Sequence, residues 1–413
     1  MNILMANTRH FYGGGDSTYT FSLSRLLQQH AHYVSFFAMQ DERNLSDPNE
    51  DLFVPFIDFR QLNREQSITN GLRVLGRVIY SRVARQKFSV LLDRVKPDIV
   101  HLQNIHAHIT PSIIFEAKQR GLPVVWTLHD YKLICPNSHL LIDATGQICE
   151  ACVKGKFWHA PLKRCKKGSL LASGMAATEA YAHKLMGVRG KVDAYLAPSA
   201  FLANKLGEGG FLEDVYHVPL FIDKKYFQAQ DQDDGYILFF GRLDFLKGIY
   251  TLLDACRVLP HIRLRIAGRM NEAEEASIRP KFSPNVEYLG MKSGNDLREL
   301  VGRCRAVVVP SIWYENQPFS ILEAFAAGKP VIASNLGGMS ELVTHMERGL
   351  LVKPKDAEEL AGAMAWMDEH PEEAWKMGTR AQAYVEKEHS AEHHYERIIG
   401  IYNHALEACK AMK

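Results

Sequence analysis

Ala306-Val-Val-Val-Pro310-Ser-Ile-Trp-Tyr-Glu315-Asn-Gln-Pro-Phe-Ser320-Ile-Leu-Glu-Ala-Phe-Ala-Ala-Gly-Lys-Pro330 decides the reading of this chain. Its branched apolar run predicts a buried strand over Ala306 to Pro310, and the fixed backbone of Pro318 suits the first turn of a helix over Phe319 to Ala327. Gly328-Lys329-Pro330 closes that helix. The N–H groups of Phe319, Ser320 and Ile321 would point out of the sheet's carboxyl edge, where open α/β sheets hold ligands and helix ends favour anions. A diphosphate suits that place.

The same alternation of short apolar runs with helical patterns extends through the chain. Strands are expected near Asn2 to Ala6, His32 to Ala38, Asp98 to Leu102, Pro123 to Leu128 and Asp193 to Ala197. In the second half they are expected near Tyr236 to Phe240, Arg263 to Ala267, Asn285 to Leu289, Ala306 to Pro310 and Pro330 to Ser334. This pattern predicts an α/β protein of two doubly wound, Rossmann-like domains. Pro219 to Gly235 turns polar and acidic and reads as the linker. The expected domains are 1–218, 219–390 and a C-terminal helix, 391–413, that returns to the first domain.

The 413 residues are 46% hydrophobic and 23% charged, enough for two cores. A net charge of +2 gives no basis for general nucleic-acid binding. The N-terminus reads as a first strand instead of a leader, and no apolar run reaches a membrane span, so a cytoplasmic protein is expected.

Glu315 and Glu323 bracket the start of the helix, so one carboxylate can face a sugar cation and the other two ribose hydroxyls. Two solvated helix-end acids are the plain alternative. Gly241-Arg242 ends another strand of the same domain and Lys247-Gly248 precedes the helix Ile249 to Val258. Two cations there would neutralise a leaving diphosphate without a catalytic metal.

These residues resemble the group 1 retaining glycosyltransferases, family 4, whose fold is GT-B, with two domains facing across a cleft. The resemblance implies that Arg242 and Lys247 hold the donor diphosphate, that Glu323 holds the ribose, and that Glu315 serves the donor sugar, while Gly241, Phe319 and Ser320 are expected donor contacts from their places at a strand end and a helix start. It also implies a nucleotide-diphosphate sugar as donor, a saccharide or lipid-linked acceptor, and the same-face mechanism of a retaining enzyme. The family commonly has glycine where this chain has Pro318, and an Asn-Gly pair where it has Pro219-Leu-Phe-Ile-Asp223. A sugar phosphorylase or nucleotide-sugar epimerase of the same fold, or a donor-binding subunit without turnover, are the alternatives.

Tyr12-Gly13-Gly14-Gly15-Asp16-Ser17 follows the first strand, with Asp16 or Ser17 suited to cap the next helix. By resemblance Gly14 and Gly15 lie beside the donor, and His129, straight after the strand Pro123 to Leu128, contacts its sugar. His101, His106 and His108 flank another strand end, where acceptor contact is expected. From Arg60 to Lys96 nine basic residues face only Glu65 and Asp93, which reads either as peripheral membrane contact or as a solvated helix.

Four of seven cysteines, Cys135, Cys149, Cys152 and Cys165, fall in an insertion at about 135–165, with Cys149 and Cys152 spaced C-x-x-C. Structural zinc is expected, with an iron–sulfur cluster or unlinked thiols as alternatives. Asp231 and Asp233 imitate a metal pair but read as solvated acids.

Overall fold

Runs such as Ile99-Val-His-Leu102 and Ala306-Val-Val-Val309 are buried along their whole length, as strands covered on both faces require. The computed structural model describes residues 1–57, 75–223, 227 and 233–411. The chain forms two units: Met1–Pro198, Leu202–Val218 and Tyr395–Lys413 make the first, Ser199–Phe201 and Pro219–His394 the second.

In the first unit a six-stranded sheet is built from β1 (Asn2–Ala6), β2 (Tyr33–Phe37), β3 (Ile99–Leu102), β4 (Val124–Thr127), β7 (Ala194–Ala197) and β8 (Val215–His217). Its order is β2-β1-β3-β4-β7-β8 and every pair is parallel. The helices α1 (Gly15–Gln29), α2 (Arg82–Val95), α3 (Ser112–Gln119) and α4 (Leu170–Leu185) connect its strands. A small hairpin, β5 (Leu141–Ile142) with β6 (Gln147–Ile148), lies in the insertion between β4 and α4.

The second sheet runs β11-β10-β9-β12-β13-β14, again parallel throughout. Its strands are β9 (Tyr236–Arg242), β10 (Arg263–Arg269), β11 (Val286–Tyr288), β12 (Ala306–Val309), β13 (Val331–Ser334) and β14 (Gly349–Val352). The helix α5 (Ile249–Arg257) follows β9, and α6 (Phe319–Ala326) follows β12. Ile237, Phe239, Leu264, Val308 and Ile332 from the strands and Leu252, Leu253 and Met364 from the helices fill one apolar core.

Each sheet has a point where neighbouring strands lead away in opposite directions: β1/β3 in the first, β9/β12 in the second. Ligands of such sheets bind outside the carboxyl ends of those strands. The last helix, α7 (Ala391–Ala411), belongs to the first unit from Tyr395 onward, and its Tyr402 hydroxyl bonds His101 Nδ1 at 2.6 Å.

β8 and β14 were not expected from sequence. Asp233 is not simply solvated, since it pairs with Arg305 at 2.9 Å, while Asp231 and the other linker residues of 224–226 and 228–232 lie outside the described residues. So do Arg60, Arg64 and Arg73 of the basic run. Within its described part Arg85 pairs with Glu116, Arg94 with Asp51, and Lys87 donates to the Asp51 carbonyl. Much of that charge is spent inside the fold. Among the described residues no helix is long and apolar enough to cross a membrane.

Candidate active site

At the carboxyl end of β9 the chain turns through a 3₁₀ segment, Phe245–Lys247, whose start is capped by Asp244 accepting from Lys247 N at 3.0 Å. Gly248 then takes φ 72°, and a Cβ built there would lie 1.8 Å from the Pro310 carbonyl oxygen. Only glycine lets this turn pass against the end of β12. The Ile312 N–H donates to Leu246 O at 2.9 Å and closes the junction.

That approach delivers Lys247 to Glu315. Nζ of Lys247, Oγ of Ser311 and Nε1 of Trp313 all donate to Glu315 Oε1, at 2.6, 2.7 and 2.9 Å. Glu315 is only 6% exposed. Burial pushes its carboxyl up, but the Lys247 charge and the three donors outweigh it and hold the group below its ordinary value. Glu315 is therefore a fixed anion. Arg242 is 60% exposed and leans on Asp244 at 3.1 Å.

Glu323 stands in contrast. Half-buried on α6, its carboxyl has no hydrogen bond or ion pair among the described residues, and burial pushes it up to about 7 against the weaker pull of Arg298. Such a carboxylate, when ionised, can accept hydrogen bonds from hydroxyl groups.

Pro318 is the N-cap of α6, extended at ψ 124°, and the helix starts at Phe319 as expected. Phe319 and Ser320, the first two helical residues, have N–H groups with no acceptor in the helix. Ile321 differs from expectation: its N–H donates to Pro318 O at 3.1 Å. Proline at the cap fixes a tight first turn, and this takes up one of the three amides. Nearby, Asn316 Oδ1 accepts from Ser199 Oγ at 2.6 Å, and Gln317 Oε1 accepts from Leu220 N. These side chains brace the loop that opens α6.

In the first unit Gly14 is the N-cap of α1, and Ser17, at the third helical position, reaches back. Its Oγ accepts from the N–H groups of Gly13 and Gly14 at 3.0 and 3.2 Å. Neither Asp16 nor Ser17 is itself the cap residue, because the cap falls one residue before the helix begins, at Gly15.

His129 Nε2 bonds Gln103 Oε1 at 2.8 Å. The amide nitrogen of Gln103 faces His101 Nε2 at 3.1 Å, which Thr127 Oγ1 also meets at 2.8 Å. With Nδ1 of His101 on Tyr402, one consistent assignment makes His129 a donor through Nε2 and His101 a donor through Nδ1. Burial lowers the pKa of His129 against the charges of Asp16 and Asp130. His101 is wholly buried in this network, so it cannot touch an acceptor as expected.

His106, His129 and Asp130 share a cavity of about 10 Å³ with Gln103, Asn104 and Trp126. Burial drives His106 down to about 3 and raises Asp130. His106 Nδ1 has no partner among the described residues. Behind it, Lys132 and Glu179 form a buried ion pair at 2.8 Å that ties the loop after β4 to α4. Ser311, Trp313, Gln103 and Tyr402 were missed by sequence reading. A serine and a tryptophan hydrogen-bonding donor beside Glu315 was the one signal available.

The four clustered cysteines line a second cavity of about 10 Å³. All are free thiols, and burial pushes Cys135 up to about 11 and Cys152 up to about 12. Among the described residues no group of three or more His, Cys, Asp or Glu side chains stands arranged to hold a metal.

Residues 222–384 match the family described as Glycosyl transferases group 1, and residues 13–226, over half of the chain, match Glycosyltransferase Family 4. The chain belongs to glycosyltransferase family 4. The first match includes Arg242, Lys247, Glu315 and Glu323, and the second His129 and the four cysteines. A Klebsiella pneumoniae protein described as an uncharacterized 42.6 kDa protein in a cps region is 23% identical over 83% of this chain and 87% of its own. D-rhamnosyltransferase WbpZ of Pseudomonas aeruginosa is 34% identical over 36% of this chain and 40% of its own. The structure of Anabaena HepE in complex with UDP and glucose has a TM-score of 0.62 at 16% identity, covering 97% of this chain and 98% of that one. This family 4 chain therefore has the GT-B fold.

Proposed function

We propose that this transferase moves a sugar, with its anomeric configuration kept, from a nucleotide-diphosphate donor to a saccharide or lipid-linked acceptor in polysaccharide synthesis. The second unit holds the donor and the first meets the acceptor. The carrying observation is the Glu315–Lys247 pair at 2.6 Å, at the carboxyl edge of β9 and β12 on the loop that opens α6. The UDP and glucose bound by HepE and the rhamnosyl transfer in the name of WbpZ support the donor class.

In this reading Arg242, Lys247 and the N–H groups of Phe319 and Ser320 take the negative charge of the leaving diphosphate. The bond from the anomeric carbon to the phosphate oxygen breaks, the acceptor oxygen bonds the same face, and its proton passes to the leaving phosphate. Glu315, kept ionised, steadies the positive charge on the sugar between those events. Glu323 accepts from the ribose hydroxyls, Gly14 and Gly15 border the donor, and neutral His129 touches its sugar without adding charge. The cations supply the positive charge this step needs, so no catalytic metal is required.

Work on a lipid-linked acceptor would bring the protein to the cytoplasmic face of a membrane by peripheral contact. Exposed Arg82 is available for it within the described part of the basic run. Donor turnover by the wild type, Glu315→Gln and Lys247→Ala proteins tests the assignment. Loss of turnover in both variants with the fold intact is expected, and full turnover in both would overturn it.

A further inference from the structure

We propose that Cys135, Cys149, Cys152 and Cys165 form a structural zinc site that clamps the loop carrying His129 and Asp130. The thiols come from three separate stretches: Cys135 from the turn after β4, Cys149 and Cys152 from the knuckle after β6, and Cys165 from the turn after a one-turn helix, His159–Leu162. The fold nevertheless brings all four to one cavity. At about 10 Å³ it has room for a single small ion. Four thiolates make a closed zinc site.

The surrounding segment has only a small apolar cluster of its own. Its strands β5 and β6 have two residues each, and in its apolar cluster of Cys152, Phe157, Ala160, Cys165 and Ala177 two members are the thiols themselves. Small scaffolds of this kind depend on a staple. The staple would act directly on the site loop, because Cys135 N donates to Tyr131 O at 2.8 Å and Tyr131 N to Ser138 O at 3.1 Å. The sulfurs do not yet stand as ligands, so the proposal requires them to turn in towards the cavity centre.

Elemental analysis of the full-length protein, purified without chelator, tests this independently of the transfer reaction. One equivalent of zinc per chain is expected, released by a mercurial reagent together with the thiols. Cobalt put in its place should give the intense thiolate charge-transfer and tetrahedral d–d bands. Cys149→Ser should lose the metal while Cys256→Ser, outside the cluster, keeps it. Should Cys149→Ser fail to fold, the mercurial release and the cobalt spectrum of the unaltered chain still decide. Protein with neither zinc nor cobalt binding, with all four thiols reacting freely in the native state, would overturn the proposal. Iron with inorganic sulfide would overturn it too.

Discussion

At the carboxyl edge of the second sheet one oxygen of Glu315 gathers a lysine, a serine and an indole. At the matching edge of the first sheet His129 rests on an amide, which rests on a second histidine and a tyrosine. One edge is a set of opposed charges fixed in place, and the other is a buried, uncharged relay. Both lie at the carboxyl ends of strands, Glu315 after β12 at its sheet's switch point and His129 after β4, next to β3, so topology fixes where they are but not their electrical character. A leaving diphosphate calls for the first kind of edge. A sugar, whose hydroxyls both donate and accept, suits the second.

The most severe way to break this contrast is to neutralise Glu315. Glu315→Gln keeps the shape and removes the charge, so kcat for donor turnover should fall by about 10²–10³-fold. Thermal unfolding should be measured alongside, because Lys247 then loses its partner. A kcat near wild type would mean that the charge at the second edge is structural only.

The second test concerns how that edge is built. Gly248→Ala adds a Cβ 1.8 Å from the Pro310 oxygen at φ 72°, and the unfolding free energy in denaturant should fall by more than about 2 kcal/mol. Gly290→Ala, at φ 70° with nothing within 4 Å, isolates the conformational part and should cost about 1 kcal/mol. Equal losses in the two would show that the close approach to β12 contributes nothing.

Glu323 sharpens the contrast within one edge, since it titrates where Glu315 does not. Its pKa of about 7 predicts that donor binding weakens as pH falls below about 7, approaching tenfold per unit, as calorimetry with a nucleotide sugar would read. The sign for stability is opposite to that of Glu315. With the folded pKa raised above the ordinary 4.5, the folded chain holds the extra proton between these values, so this contribution declines as pH rises from about 4.5 to about 7. For Glu315, lowered in the fold, the contribution is present above its unfolded pKa and is lost as pH falls through the folded one. Glu323→Gln should flatten the binding profile. An unchanged profile would remove Glu323 from the donor site.

How much of this was legible follows from range along the chain. Glu315, Glu323 and Lys247 could be read because strand, turn and helix signals place them at one edge from local sequence alone. The central strands were equally clear, since Ala306-Val-Val-Val309 and Val331-Ile-Ala-Ser334 are short runs buried throughout. β8 was not, being three residues at a sheet edge with its side chains half-exposed or exposed, and β14 opens on a glycine. The relay was beyond reach for a different reason: Tyr402 meets His101 across 301 residues, and no local pattern marks either as polar core. His101 reads as an acceptor contact because sequence cannot tell which face of β3 is closed by α7.

The smallest expected effect probes that long-range contact. Tyr402→Phe keeps the ring in place and deletes the hydroxyl that bonds His101 Nδ1, so stability should drop by about 1–2 kcal/mol. His129 is two hydrogen-bonded groups away, and Gln103 is also fixed independently by Trp126 Nε1 donating to its carbonyl at 2.8 Å. The imidazole of His129 should therefore keep its Nε2 proton, visible as an unchanged tautomer in nitrogen-resolved NMR, and kcat should move by less than about threefold. Gln103→Leu removes the anchor itself and should change the tautomer populations as well as kcat. If Tyr402→Phe also changed them, the neutral edge would be one cooperative unit reaching into α7; if Gln103→Leu left them alone, the amide would not be what orients His129.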